Sequence, residues 1–170
     1  MRQFAGILCA VLLSISLAGC FTAKSPLIGA DEAEFPYDRI VFVAIDRPED
    51  RLILQRDGDT YLFRPSDEDE RYARLRLKGF GEGFYVAQLQ APPGEDDPGP
   101  LYAVLAVSAD GRRIASHAAI RPDDFEAVPG LSLCDTSVCI DDLGAYVAYA
   151  RARILAGAAP DAEYRILEAE

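Results

Sequence analysis

The sequence is poor in the side chains on which most enzymes rely. Its 170 residues include no tryptophan, a single histidine and four cysteines. There is no G-x-S-x-G turn and no zinc-binding motif, so no catalytic constellation can be assembled from residues that are close in sequence. The lack of tryptophan also removes a common aromatic platform for sugars. These absences favour a non-catalytic binding or accessory protein; the alternative is a hydrolase or glycan-acting enzyme that uses paired carboxylates.

Basic residues are also scarce. The chain has 17 Lys and Arg against 28 Asp and Glu, a formal charge of −11. Binding to a phosphate backbone depends on a basic face, so we expect no nucleic-acid partner. A cationic partner or a solubilising role fits this charge better.

The longest uncharged apolar stretch lies at the amino end. It runs from Phe4 to Leu17 after a single basic residue, Arg2. That length suits the apolar region of a secretory signal and is short of the roughly 20 residues that cross a bilayer as a helix. The stretch closes on small residues, which leave an unhindered backbone for a peptidase. The sequence therefore predicts a signal peptide over residues 1–19.

The residues at the predicted cleavage site, Leu17-Ala18-Gly19-Cys20, resemble the lipobox of bacterial lipoproteins. The resemblance covers only residues 1–20 and implies that Cys20 carries a diacylglyceryl group and an acylated amine. Two acyl chains suffice for stable anchoring. Phe21 follows the cysteine where an aspartate favours the inner membrane of enteric-type bacteria, so the resemblance implies the outer membrane of the cell envelope. A non-catalytic module anchored there would meet an envelope protein, peptidoglycan or lipid as its partner. The alternative is an ordinary signal peptide beside an incidental cysteine.

Two cysteines remain beyond Cys20. Removal of residues 1–19 takes Cys9 and Arg2 away and leaves 16 basic and 28 acidic residues, a formal charge of −12. Cys134 and Cys139 then form an even pair in a compartment that permits disulfides. Their C-x4-C spacing differs from that of thioredoxin-like sites, and a metal would need two further ligands. We therefore predict a structural disulfide that contributes about 2 kcal/mol, with no metal or cofactor.

Two Asp-Gly dipeptides lie between segments of alternating character and predict tight β-hairpins. Asp57-Gly58 follows residues 51–56, and Asp110-Gly111 follows residues 101–109. A type I′ turn needs positive φ at both central residues, which Asp-Gly tolerates. The predicted registers pair Leu54 with Tyr61, Leu52 with Phe63, Val107 with Ile114, His117 with Val104, and Leu101 with Ile120.

Residues 71–78 alternate between apolar and basic side chains and predict a half-exposed strand. A basic stripe in so acidic a chain is a candidate site for an anionic ligand or lipid headgroups. The interpretation we favour is that acidic residues on neighbouring strands neutralise it. The apolar face holds Ala73, Leu75 and Leu77, and the stripe holds Arg74, Arg76 and Lys78.

His117 is the obvious candidate for a general base. The predicted register places it opposite Val104, on the face of the strand away from Ile114. Nothing nearby in sequence supplies a nucleophile or an orienting carboxylate. We therefore favour a structural role for this histidine.

Three further segments are predicted to be turns or loops. Residues 79–83 are glycine-rich but lack the Lys-Ser/Thr of a P-loop and lead into a strand. The acidic residues 65–70 lack the spaced ligands of a calcium loop. Residues 91–100 are too rich in proline and glycine for regular structure, which predicts a long loop that is either an insertion or a lid.

The chain as a whole predicts an α+β fold. The β-branched run Ile40 to Ile45 indicates a central strand, and residues 84–90 and 164–167 indicate others. A helix is predicted from a cap at Asp141 or its neighbour to about Ala156, with an apolar stripe facing the sheet. We expect a mostly antiparallel meander of six to eight strands, either a curved sheet or a small barrel, with one C-terminal helix packed on it. Residues 20–36 are predicted to be a lipidated tether and residues 37–170 a single domain.

Overall fold

A computed structural model describes residues 21–66, 72–90, 99–118, 128–134 and 137–170. These residues form eleven strands and one α-helix. The elements are β1 (Phe21–Thr22), β2 (Arg39–Ala44), β3 (Arg47–Asp57), β4 (Thr60–Pro65), β5 (Ala73–Gly79), β6 (Phe84–Gln90), β7 (Leu101–Val107), β8 (Arg113–His117), β9 (Leu131–Cys134), β10 (Ser137–Ile140), α1 (Leu143–Leu155) and β11 (Ala162–Ala169).

Eight of the strands form a closed antiparallel barrel. Strands β2 to β8 pair in chain order, β8 pairs with β11, and β11 pairs with β2, which closes the ring. Closure pairs every barrel strand on both sides and removes the exposed edges of an open sheet. The predicted antiparallel meander is confirmed, and of its two alternatives the small barrel is the one observed.

The register of the second predicted hairpin is confirmed. Val104 pairs with His117 and Val107 pairs with Ile114. The predicted pair of Leu101 and Ile120 lies partly outside the described residues.

The register of the first predicted hairpin is wrong by two residues. Leu54 pairs with Phe63 instead of Tyr61, and Asp57 pairs with Thr60. The two-residue turn is therefore Gly58-Asp59, with a positive φ of 64° at Gly58. A shift of two residues leaves each side chain on the same face of its strand, so the predicted inward set is preserved.

The helix α1 follows the prediction closely. Asp142 caps its start, where the side chain accepts a hydrogen bond from the backbone N–H of Ala145 at 2.8 Å. Gly157 adopts a φ of 92° directly beyond the last turn, a conformation that favours glycine. The helix buries Tyr146 and Val147, and with Ala150 they form the apolar stripe that was predicted.

Two hydrophobic clusters form the core. One fills part of the barrel interior and includes Ile40, Phe42 and Leu77. The other lies outside the barrel, between the wall of β6 and β7 and the helix α1, and includes Val86 and Tyr146. The helix therefore covers the part of the outer face formed by β6 and β7, and it contributes no residue to the interior cluster.

The segment before β2, predicted to be a tether, packs against the barrel. Strand β1 pairs with β7 and β10, and Phe21 is fully buried. The buried side chain of Gln88 holds the next part, since its Oε1 accepts hydrogen bonds from the N–H groups of Leu27 and Ile28, each at 2.8 Å. The segment then crosses one end of the barrel at Phe35, whose ring packs against Tyr61 and Tyr85.

The predicted disulfide is present in the structure. Cys134 and Cys139 join β9 to β10, with their Cα atoms 5.6 Å apart. Strand β10 also pairs with β1 and leads into the cap of α1 at Asp142. The disulfide therefore closes the hairpin that ties the start of the helix to the amino-terminal strand.

Candidate ligand-binding cavity

The barrel encloses an apolar cavity of about 160 Å³. Apart from Ser116 and two tyrosines, all the described residues that line it have hydrocarbon side chains. An engineered apolar cavity of about 150 Å³ in another protein admits benzene, so the space in this barrel is large enough for a small apolar molecule. Eight-stranded barrels are either filled by side chains or hold one small ligand, and this one is incompletely filled.

Small residues on one side of the barrel leave the space open. Ala87 of β6 and Ala103 of β7 are cross-strand partners, and both line the cavity. Ser116 and Ala118 line it from the β8 side. The opposite wall is aromatic: Phe42 stacks on Phe63 at 6.1 Å and meets Tyr164 edge-on at 5.3 Å. The cavity is therefore a slot between an aromatic wall and a wall of short side chains.

One end of the slot is closed by four aromatic residues, which we call the floor. Phe35 is at their centre, with its ring 5.5 Å from Tyr37, 5.8 Å from Tyr61 and 4.9 Å from Tyr85. The Tyr61 hydroxyl donates a hydrogen bond to the carbonyl of Tyr37 at 2.7 Å, and Arg56 donates one to the carbonyl of Phe35 at 2.9 Å. Burial raises the pKa of Tyr61, so its hydroxyl remains a donor. These bonds fix the floor from outside the cavity.

The other end of the slot, which we call the mouth, is lined by Leu89, Leu101 and Ala118. Lining side chains near it, such as Leu89 and Leu101, are partly exposed, whereas Leu77 beside the floor is fully buried. The strands at the mouth lead into residues 67–71, 91–98 and 119–127, which lie outside the described residues.

His117 lies outside the cavity, on the outer face of the barrel. Its side chain is 2% exposed, and its Nδ1 has no hydrogen-bond partner among the described residues. Burial lowers the pKa of His117, while the Asp161 carboxylate and the Ala159 carbonyl act in the opposite direction. Asp161 also accepts a hydrogen bond from the N–H of Ala118 at 2.5 Å. Asp161 is distant from His117 in sequence, so only the fold brings this carboxylate close enough to act on the histidine.

The predicted basic stripe lies on the outer face of β5, and each of its cations has an acidic partner. Arg74 pairs with Asp57 at 3.0 Å, and Arg76 pairs with Asp59 at 2.7 Å. Lys78 pairs with Glu32, and this hydrogen bond holds the pKa of Glu32 below its ordinary value. An anionic ligand at this stripe would have to displace these carboxylates.

The glycine-rich residues 79–83 form the predicted turn between β5 and β6. Gly83 has a φ of 77°, and a Cβ atom there would lie 2.6 Å from the carbonyl oxygen of Val107. The N–H of Val107 in turn donates to the carbonyl of Gly83 at 2.8 Å. Glycine is needed at this position because two backbone segments meet there.

Several predicted features lie outside the described residues. They are Cys20 with the signal peptide, most of the acidic loop at 65–70, and most of the loop at 91–100. Within the described ranges, the search for three or more His, Cys, Asp or Glu side chains able to hold a metal finds no group.

Comparison with known proteins finds no match to the chain among protein families, curated proteins or solved structures. Among the residues that the structure describes, no helix has both the length and the apolar character needed to cross a bilayer.

Proposed function

We propose that the protein is a lipid-anchored, non-catalytic binding module of the bacterial envelope that holds a small apolar ligand inside its barrel. The observation that carries this proposal is the apolar slot of about 160 Å³, closed by the floor at one end. A slot whose described lining residues carry no charge offers burial to hydrocarbon, at roughly 25 cal/mol per Å² removed from water. A charged ligand would gain no comparable stabilisation from burial in the slot.

The anchor is supported by the sequence around Cys20 and by the position of the residue after it. Phe21 is held in the sheet as the partner of Tyr102, near the mouth end of β7. A lipid on Cys20 would therefore be attached close to the barrel wall, without a free linker between them. Such an attachment would keep the barrel at the surface of the membrane.

Filling the slot tests the binding proposal. We expect Ala103→Leu to weaken binding of a small fluorescent apolar reporter, such as indole, by tenfold or more, since the leucine occupies the space of the ligand. The matched control is Gln55→Leu, which adds the same side chain at an exposed position on the outside of β3. Fluorescence titration measures the affinity, and thermal unfolding checks that both variants fold. Equal affinity in the two folded variants would refute binding inside the barrel.

A further inference from the structure

A second concave surface lies on the outer side of the barrel, where the turn before β8 meets the end of β11. Two stretches of chain line it, residues 110–113 and 165–169, and they form a groove of about 620 Å³. Both stretches lie inside the described ranges 99–118 and 137–170. We call this surface the arginine groove because Arg112, Arg113 and Arg165 all line it.

The fold places two of these arginines side by side. Arg113 of β8 and Arg165 of β11 are cross-strand partners, and both are exposed on the face opposite to the inward-facing Ile114 and Tyr164. Directly opposed side chains on antiparallel strands have Cβ atoms about 5 Å apart, and like charges in that arrangement repel each other. The two residues are far apart in sequence, so the sequence alone does not reveal this pair.

The cations of the groove are not neutralised as those of the basic stripe are. Within the part of the chain that the structure describes, Arg112, Arg113 and Arg165 form no ion pair. Glu163 lies two residues before Arg165 on the same face of β11, and it too forms no ion pair with these arginines. The guanidinium donors of the groove are therefore available to a ligand.

The two carboxylates that line the groove are engaged by other groups. Asp110 accepts hydrogen bonds from the Ser108 hydroxyl at 2.6 Å and from the backbone N–H of Arg112 at 3.0 Å. These bonds lower the pKa of Asp110, and the charge of Arg112 makes a smaller contribution in the same direction. Glu168 forms an ion pair with Arg39 at 3.2 Å. Three guanidiniums therefore line the groove beside two carboxylates that already have partners.

The backbone of β11 is irregular at the groove. The register between β11 and β2 shifts between Ile166 and Glu168, which leaves Leu167 as the extra residue of a β-bulge. Bulges re-aim side chains and are over-represented next to functional sites. Leu167 is 40% exposed and lines the groove together with the arginines. An unbroken β11 would not present this residue to the groove.

The donors of the groove favour a phosphate group. An arginine presents a planar set of N–H donors and no acceptor, which matches the oxygens of carboxylates and phosphates. A carboxylate has one charge and two oxygens, which suits a single guanidinium. A phosphate group carries up to about two charges and offers a further oxygen, so it can accept from arginines on two strands at once. Its charge would also relieve the repulsion between Arg113 and Arg165.

We propose that the arginine groove binds a phosphate group, with Arg113 and Arg165 as the main donors and Arg112 beside them. The site is separate from the cavity and does not depend on the binding of an apolar ligand there. The phosphate is presented either by the headgroup of a membrane lipid or by a free phosphorylated molecule, because both offer the same oxygens.

The test is a titration with inorganic phosphate, followed by nuclear magnetic resonance of the backbone amides and the arginine side-chain N–H groups. The protein is residues 20–170 carrying Cys20→Ser, a form that contains every described residue and has no attached lipid. Acetate at the same ionic strength is the control ligand. We expect phosphate to shift the signals of residues 110–113 and 165–169, and acetate to shift them much less.

A pair of matched variants locates the binding. Arg165→Gln removes one donor from the groove and should weaken phosphate binding about fivefold, the upper end of what an exposed ion pair contributes. The control is Arg153→Gln, which removes the same charge from an exposed arginine of α1 that does not line the groove. The control should change the affinity by less than about twofold, because salt screens distant charges. Thermal unfolding checks that both variants fold.

The outcomes decide first whether the site exists and then what supplies the phosphate. If phosphate shifts no signal of the groove, or if the two variants bind it equally, the proposal is overturned. Flotation with phosphatidylcholine vesicles that contain phosphatidic acid, whose headgroup is a phosphate monoester, identifies the source. Flotation that is lost in Arg165→Gln and kept in Arg153→Gln indicates a lipid headgroup. Phosphate binding without such flotation indicates a free phosphorylated molecule.

Discussion

At the scale of single residues, the cavity depends on where short side chains stand in an otherwise bulky interior. Ala87 and Ala103 face each other across two strands, and Phe42 and Phe63 stack on the opposite wall. A leucine at either alanine would complete the packing that most small barrels have. The open space is therefore a property of a few positions and can be removed without rebuilding the fold.

Protonation of His117 should change the stability of the protein as the pH falls. Burial lowers its pKa in the folded state, so below the ordinary value of about 6.5 the unfolded chain binds a proton more readily than the folded one. Its contribution is therefore fully present above pH 6.5 and is lost as the pH falls toward the folded value. At pH values below both pKa values, each unit of difference between them lowers the free energy of unfolding by about 1.4 kcal/mol. The groups that act on it are Asp161 and the Ala159 carbonyl.

We expect the free energy of unfolding of the wild type to decrease between pH 7 and pH 5. The His117→Gln variant, which keeps a polar side chain without a titrating group, should show a smaller decrease over the same interval. Urea denaturation at several pH values measures both. An identical pH dependence in the two proteins would show that His117 is not responsible.

At the scale of elements, local signals predicted the structure well where they were strong. The strand at 84–90, the helix cap at Asp142 and the hairpin register at Val107 and Ile114 all depend on residues that are close in sequence. The register at Leu54 was wrong because alternation is unchanged by a shift of two residues, and the choice between turns depends on tertiary packing.

Features that depend on distant residues could not be predicted. Barrel closure joins β11 to β2 and to β8, which are separated from it by long stretches of chain. The cavity depends on which inward-facing residues meet across the barrel. The electrostatic effect of Asp161 on His117 depends on the same closure. The packing of the segment before β2 requires Gln88, a polar residue that sequence patterns assign to the surface.

We expect the disulfide to stabilise the strands outside the barrel without affecting the cavity. Replacing Cys134 and Cys139 together by serine should lower the free energy of unfolding by about 2 kcal/mol, because the short loop between them is no longer closed. Reporter binding should not change, since β9 and β10 lie outside the barrel. Chemical denaturation and fluorescence titration measure the two properties. A large loss of binding in the folded variant would mean that the exterior sheet controls the cavity.

At the scale of the whole molecule, an acidic barrel is combined with a sequence that predicts a lipid anchor. The anchor would be attached directly before β1, which is paired to the barrel wall at Tyr102. The membrane, which is a reservoir of apolar molecules, would then lie within a short distance of the cavity.

The anchor is tested by metabolic labelling of bacterial cells with a radioactive fatty acid. We expect the wild-type protein to be labelled and the Cys20→Ser variant to be unlabelled, because the thioether and the acylated amine both require Cys20. Cys139→Ser, which alters a cysteine that is expected to carry no lipid, is the control and should remain labelled. Label in the Cys20→Ser protein would contradict the anchor.

The most direct test of a ligand inside the barrel is a crystal structure of residues 20–170, with Cys20→Ser, bound to bromobenzene. The bromine is located by its anomalous scattering. We predict one bromine peak inside the barrel, among the residues that line the cavity. A bromine peak only on the outer face of the barrel, or none at a saturating concentration, would contradict the account.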